Sequence, residues 1–254
     1  MPTMERRRPS GFSFSPRMRL KKKTSCGAWV VEGDTHVGKW IEETGRLDHD
    51  QWLLHRILHR VPLGGTVVDA GALYGDHTLA YARAVGIGGN VYAFEPNPVA
   101  CSCLRRNMWH FDMAQRVSCF QVALSDDYGS VKYAESKNTG ASRISENGTK
   151  YIQCIPLDAL RLSGVSFMKF DVEGYEVRAL RGAKTTILKY RPYLVCEVNG
   201  GALNEQGFTF MDLMDFFDEV NYVMTSVQHP AQDIHQISEA QFDVLCEPEE
   251  LVKQ

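Results

Sequence analysis

Thr66-Val67-Val68-Asp69-Ala70-Gly71-Ala72-Leu73-Tyr74-Gly75 and, one helix further on, Asn90-Val91-Tyr92-Ala93-Phe94-Glu95-Pro96-Asn97 decide the fold. Each starts as a short apolar run and ends in an acid, Asp69 or Glu95. The first run turns through Gly71 and Gly75 into a helical stretch over 76–85. A strand–loop–helix–strand unit of this kind holds a nucleoside. Its glycines let backbone approach the ligand, and the second acid accepts hydrogen bonds from both ribose hydroxyls. The spacing G-x-x-x-G departs from the dinucleotide pattern G-x-G-x-x-G. An acid at the mouth of the first strand repels a pyrophosphate but suits a ligand bearing an ammonium and a sulfonium. The two acids therefore favour S-adenosylmethionine over NAD.

From Gly64 onward, strands and helices alternate. Expected strands cover 66–70, 90–94, 117–123, 167–171 and 192–198, with helices over 76–85, 98–111 and 176–190. Strand-like stretches at 130–133 and 151–155 bracket a polar loop. A helix over 210–217 precedes two final strands, 221–225 and 242–245, close enough in sequence to pair antiparallel. This alternation indicates a parallel, doubly wound α/β sheet. The expected architecture is Rossmann-like: a mostly parallel seven-stranded sheet with an antiparallel edge strand, an inserted hairpin and an N-terminal extension. A helix over 50–59 belongs to that extension, with Leu53, Leu54, Ile57 and Leu58 at helical spacing. His55 and His59 flank it one turn apart. Without the glutamate of H-E-x-x-H they read as a solvent-facing pair, not a metal site.

The 254 residues are enough for one sizeable core, and 44% apolar with 23% charged residues is ordinary for a soluble globular chain. No run of about eighteen apolar residues exists, so no spanning helix is expected, and the N-terminus lacks the apolar core of a secretory signal. Seven scattered cysteines with no C-x-x-C pair read as reduced thiols of a cytoplasmic protein. The net charge of -3 hides an asymmetry. Eight of the 28 basic but one of the 31 acidic side chains fall within residues 1–23, leaving a net of -10 for the rest. Residues 1–25 are expected as a basic disordered tail, 26–62 as an extension with a helix, 63–247 as the α/β domain and 248–254 as a C-terminal tail.

Ligands of open α/β sheets bind outside the carboxyl ends of the strands. Those ends are Asp69-Ala70-Gly71, Glu95-Pro96-Asn97, Ala123-Leu124-Ser125, Asp171-Val172-Glu173-Gly174 and Glu197-Val198-Asn199. Together with Ile155-Pro156-Leu157-Asp158, the Gly140-Ala141-Ser142 loop and Met168-Lys169-Phe170-Asp171-Val172-Glu173-Gly174-Tyr175-Glu176 followed by Leu180-Arg181-Gly182-Ala183, they resemble the FkbM-type S-adenosylmethionine-dependent methyltransferases. The resemblance runs from about Thr66 to Asn199. It implies the class I methyltransferase fold and O-methylation of a sugar, glycan or small metabolite hydroxyl, with S-adenosylmethionine as cofactor.

By that resemblance, Asp69, Gly71 and Gly75 form the loop around the methionine part of the cofactor, with Ala70 and Thr78 beside it. Glu95 holds the ribose with Asn97 nearby, and Ala123 and Leu124 flank the adenine. Two positions depart from the family: Leu73 stands where Asn is usual, and Asn199 where His is frequent. A hydroxyl acceptor must lose its proton, so a base belongs beside it. Asp171 is placed near the methionine and the acceptor, Glu173 or Glu197 takes the proton, and Lys169 orients or neutralises these carboxylates. No metal is assigned; the alternative is a divalent cation bridging Asp171 and Glu197, whose oxygens suit Mg²⁺ or Mn²⁺. The 136–148 loop, with Ser142 and Arg143, is a candidate lid. Trp29, Trp40, Trp52, Phe208, Phe210 and Tyr222 are candidates for stacking on a sugar, or for core. A nucleic-acid methyltransferase using the basic arm is the second reading, disfavoured by the acidic body. A cofactor-binding module without catalysis is the third.

Overall fold

The computed structural model describes residues 20–22, 25–237 and 239–253. The basic segment expected as a tail lies outside the described residues, apart from the strand at 20–22 and residue 25. Strand β1 (Leu20–Lys22) pairs antiparallel with β2 (Trp29–Val31), ahead of helices α1 (Val37–Thr44) and α2 (Gln51–Ile57). The alternating unit follows as β3 (Thr66–Ala70), α3 (Asp76–Ala84), β4 (Asn90–Phe94), α4 (Pro98–His110) and β5 (Val117–Phe120). Four short strands come next: β6 (Ala123–Leu124), β7 (Gly129–Ala134), β8 (Arg143–Ile144) and β9 (Lys150–Ile155). Then come β10 (Val165–Phe170), α5 (Glu176–Arg181), α6 (Lys184–Tyr190), β11 (Tyr193–Asn199) and α7 (Gly200–Glu205). Helix α8 (Phe210–Glu219), β12 (Tyr222–Ser226), β13 (Gln241–Pro248) and the single turn α9 (Glu249–Val252) complete the series.

The central sheet has the order β12-β13-β11-β10-β3-β4-β5. Its middle strands pair in parallel, and β13 runs antiparallel to both β11 and β12. The strand of opposite direction thus lies one position in from the edge, and the last two strands pair antiparallel as their short connection requires. All five residues of β3 are buried, because a central parallel strand is covered on both faces by helices. Register sets Asp69 beside Lys169 and Ala70 beside Phe170 and Phe94, so charge lies on one face and apolar side chains on the other.

Three expected elements differ from the observed ones. The strand expected over 117–123 breaks after Phe120, and Ala123–Leu124 leaves the central sheet to pair in parallel with Cys154 and Ile155. It thereby joins a second sheet of order β6-β9-β7-β8 that stands over the strand ends. The helix expected over 176–190 is two helices. A Cβ on Gly182 would lie 1.8 Å from the Ser125 carbonyl, so the chain passes this point without a side chain. Asp158 then caps the second helix from outside, accepting from the Thr185 and Thr186 amides at 2.8 Å each. The C-terminal tail carries the turn α9. The extension is not separate from the core: Ala28, Val30, Ile41, Leu53 and Ile57 share one buried cluster with Leu79, Leu104 and Met108.

Glycine is required at two strand-to-loop junctions. Gly71, at φ 87°, comes so close to β10's end that an added Cβ would lie 1.7 Å from the Asp171 carbonyl oxygen. Gly174, at φ 96°, would meet the Ala202 carbonyl at 2.4 Å. Gly71→Ala should therefore cost at least ~4 kcal/mol, the range reserved for buried backbone collisions. Gly88→Ala, at φ 100° but with open space around it, should cost only ~1–2 kcal/mol of left-handed strain. Urea denaturation of the two variants beside the parent chain measures the difference.

Candidate active site

Two clefts open along the carboxyl ends of the parallel strands. The first lies between Ala70, Gly71, Phe94 and Glu95 on the central sheet and Ala123, Leu124, Tyr133 and Ser142 on the second. The other is walled by Asp76, His77, Lys169, Glu197, Asn199 and Gln241, and by His36, His49 and Asp50 of the extension. Gly71, Gly140, Arg143, Asp171 and Glu173 line both. The clefts meet where β10 ends.

Glu95 anchors the first cleft. It is 5% exposed; its Oε2 accepts from the Leu73 amide at 2.9 Å and its Oε1 from the Asn97 amide at 2.7 Å. Burial pushes its carboxyl up to about 7, against the pull of those two amides toward the ionised form. Leu73 sits in the left-handed region at φ 44°. Asparagine tolerates that conformation better than leucine, which gives the family's preference at this position a backbone reason. Ala123 and Leu124 are held in the wall by their pairing in the second sheet.

Several expected cofactor residues lie behind the lining. Asp69 is fully buried, its Oδ2 accepting from the Thr78 hydroxyl at 2.5 Å, and burial raises its carboxyl. Gly75 faces α4, where a Cβ would collide with Leu104 and Met108. Asn97 caps α4, its Oδ1 accepting from the Val99 and Ala100 amides at 2.9 and 3.1 Å. These three, with Thr78, brace the loop and line neither cleft. Ala70, Gly71, Glu95, Ala123, Leu124 and Asp171 do line the first.

The second cleft gathers Asp171, Glu173 and Glu197, which offer oxygens within 4.8 Å of one another. Such a set can hold a hard divalent cation. Lys169 already supplies one positive charge, its Nζ donating to Asp171 Oδ2 at 2.6 Å. Burial opposes that ammonium, but Asp171, with Tyr81 and Asp69, outweighs it and holds Lys169 well above the ordinary lysine range. Burial and then the charge of Asp171 and Glu176 push Glu173 up to about 7. Glu197 is raised further, by burial and by Asp171 and Glu173; its Oε1 accepts from Gln241 Nε2 at 2.5 Å. Loop bracing falls to Glu176 instead of Glu173: its Oε1 accepts from the Val172 and Gly174 amides at 3.0 and 3.2 Å. Glu173 itself takes a left-handed conformation, φ 55°.

Other lining residues had no signal in the sequence. His36, His49 and Asp50 come from an extension that only the tertiary fold brings to the strand ends. His77 is kept neutral, since burial and nearby Lys169 both lower it. The aromatic candidates for sugar stacking are placed elsewhere. Trp52 lies in an outer groove beneath Arg56, Trp29 packs under Arg106, and Phe210 meets Phe242 edge-on at 5.7 Å. Tyr222 is 4% exposed. Phe208 lies under Arg178 and Arg181, and Trp40 against His49. None of the six lines either cleft. Asn199 lines the second cleft and also caps α7, accepting from the Ala202 amide at 3.1 Å. His55 points away, into the outer groove, and is not part of a metal-ligand group among the described residues.

Comparison with known proteins accounts for this architecture. The model of the methyltransferase FkbM domain matches residues 69–224, which contain both acidic strand ends and the β10 carboxylates. A methyltransferase FkbM from Methylobacillus flagellatus superposes with a TM-score of 0.51 at 18% identity, over 72% of this chain and 43% of that one. The chain thus spans less than half the length of that relative. A candidate rRNA methylase from Clostridium thermocellum superposes with a TM-score of 0.50 at 15% identity, over 78% of this chain and 95% of that one. At these identities the two structures establish the fold alone. No curated protein sequence matches significantly. No helix among the described residues is long and apolar enough to cross a membrane. Matched by the family's own model over more than half its length, this chain belongs to the FkbM methyltransferase family.

Proposed function

We propose that the chain methylates a hydroxyl oxygen of a sugar or other polyhydroxylated small molecule, with S-adenosylmethionine in the first cleft and the acceptor in the second. The observation that carries this reading is the shared wall: Asp171 and Glu173 line both clefts, so one pair of carboxylates faces the donor and the acceptor together. The first cleft fits the cofactor on two counts. Gly71 puts bare backbone on its lining, the place of a Cβ being taken by the Asp171 carbonyl. Glu95 is fixed by two amides at the strand end where a ribose is held. When bound, S-adenosylmethionine supplies a methyl group on a sulfonium, an electrophile that already carries its leaving group.

The chain's own residues then have three tasks. Glu95 and the walls from Ala123 to Leu124 bind and orient; Lys169 and the carboxylates set the charge; a base takes the acceptor's proton. Alignment is the largest of these, since positioned reactants gain up to ~7–11 kcal/mol over free ones. The lining of the second cleft suits hydroxyls, because its carboxylates and neutral His77 accept hydrogen bonds. The same acids repel phosphate, which speaks against a nucleic-acid acceptor. Glu173 is the base that this reading selects. Its carboxyl is poised at about 7, so it is ionised under mildly alkaline conditions and still basic enough to accept a proton. Glu197, raised further by burial and then by its acidic neighbours, keeps its proton at neutral pH and serves as a hydrogen-bonding wall.

Two outcomes are expected with a hydroxylated acceptor. The rate kcat should rise with pH through about 7 as Glu173 loses its proton, and level off above. Glu173→Gln should lower kcat by about 10²–10⁴-fold and abolish that rise, with the KM for S-adenosylmethionine little changed. A pH profile kept intact in the glutamine variant would remove Glu173 from the role of base. Glu95→Gln should do the reverse, raising the KM for S-adenosylmethionine at least about tenfold with a smaller change in saturated kcat.

A further inference from the structure

The N-terminal extension reaches the junction of the two clefts through one buried carboxylate. Asp34 is 7% exposed and accepts four hydrogen bonds. Two come from its own segment, the His36 amide at 3.1 Å and the Gly38 amide at 3.0 Å, and these fix the start of α1. The third is the Tyr74 hydroxyl at 2.5 Å, from the glycine loop between β3 and α3. The fourth is the Thr139 amide at 3.3 Å, from the loop between β7 and β8 that roofs both clefts. Next door, the Thr35 amide donates to the Lys137 carbonyl at 3.0 Å, so extension and roof are joined twice.

Tyr74 is gripped from both ends. Its side chain is fully buried, its hydroxyl is on Asp34, and its carbonyl accepts from Asn107 Nδ2 at 2.8 Å. Asn107 also holds β2, its Oδ1 accepting from the Trp29 amide at 2.6 Å and its Nδ2 donating to the Trp29 carbonyl at 3.0 Å. The residue before Tyr74, Leu73, lines the first cleft, and Thr139 lines it from the opposite side. Asn138 and His36 face the second. Asp34 therefore stands behind the seam, with one oxygen on each wall: Oδ2 on the loop through Tyr74, Oδ1 on the roof through Thr139. A buried carboxylate that loses one donor must be satisfied by moving toward another, so a change on one wall is felt at the other.

We propose that Asp34 is a positioning residue that ties the glycine loop to the roof, so that the two walls of the methyl-transfer site hold their places together. Asp34 precedes the span matched by the family model, so the tie is supplied by the extension, outside the methyltransferase core. The linkage stands on geometry alone; its consequence for turnover rests on the reading given under Proposed function.

Amide hydrogen exchange on the full chain, without ligand, tests the linkage. Tyr74→Phe removes the loop's hydroxyl, which meets the Thr139 side chain as well as Asp34, but it leaves the acceptor of the Thr139 amide, Asp34 Oδ1, in place. It should nevertheless speed exchange of the Thr139 amide about tenfold, while amides of the β10–β11 pairing, such as Val195, stay unchanged. Asp34→Asn should speed exchange at both Leu73 and Thr139. A variant that is merely destabilised would speed the β10–β11 amides in proportion, and that pattern would overturn the linkage. So would unchanged Thr139 exchange in Tyr74→Phe. A second arm adds S-adenosylhomocysteine. In the parent chain it should protect Leu73 and Thr139 together, and in Asp34→Asn protect Leu73 alone. Absence of protection at Leu73 in the parent chain would count against the cofactor reading, with the ligand-free result still deciding the linkage.

Discussion

The approach of Gly71 to Asp171 is the constraint from which the site follows. Two parallel strands end side by side, and the Asp171 amide donates to the Ala70 carbonyl at 3.0 Å as a last rung of the ladder. One residue later the loops part, with Gly71 turned to φ 87° and no room for a Cβ. That close passage sets the glycine loop against the carboxylate loop. Without it the two clefts would not share a wall. The Gly71 and Ala72 amides both reach the Phe94 carbonyl, at 3.0 and 3.1 Å, so the same turn also fixes the distance to β4 and to Glu95.

Charge is the second organising feature. Asp69, Asp76, Glu95, Glu176 and Glu197 are all buried carboxylates, and burial raises each of them. Leaving one ionised in an apolar interior is costly. Backbone amides offset part of this at Glu95 and Glu176, the Thr78 hydroxyl does so at Asp69, and Lys169 supplies a buried cation at the centre. A ligand that brings a sulfonium and an ammonium to this junction relieves what remains. A phosphate would add to it.

Much of this was legible in the sequence because the decisive residues sit at the ends of apolar runs. Asp69, Glu95, Asp171 and Glu197 each stand at or near the end of a strand whose hydrophobicity announces it, and the mostly parallel, doubly wound class of the sheet follows from the alternation of strands and helices. Residues whose partners are distant were harder to read. Asn97 looks like a cofactor contact beside Glu95, but its oxygen is spent on capping α4. The break at Gly182 depends on the Ser125 carbonyl and on Asp158, neither of which is near in sequence. His36, His49 and Asp34 sit in a short, mixed stretch, and only packing against α4 and the glycine loop brings the two histidines to the second cleft and Asp34 behind it. Aromatic residues left two readings open, since type alone does not separate stacking from packing: the faces of Trp52 and Phe208 are taken by arginines.

Titration calorimetry with S-adenosylhomocysteine beside NAD tests the central claim most directly, that the glycine loop, Glu95 and the second sheet form a pocket for a sulfonium nucleoside. The account predicts one site per chain with micromolar affinity for S-adenosylhomocysteine and no heat from NAD, because Glu95 and Asp171 on the lining and the G-x-x-x-G spacing disfavour a pyrophosphate. Binding of NAD alone, or of neither compound, would contradict it.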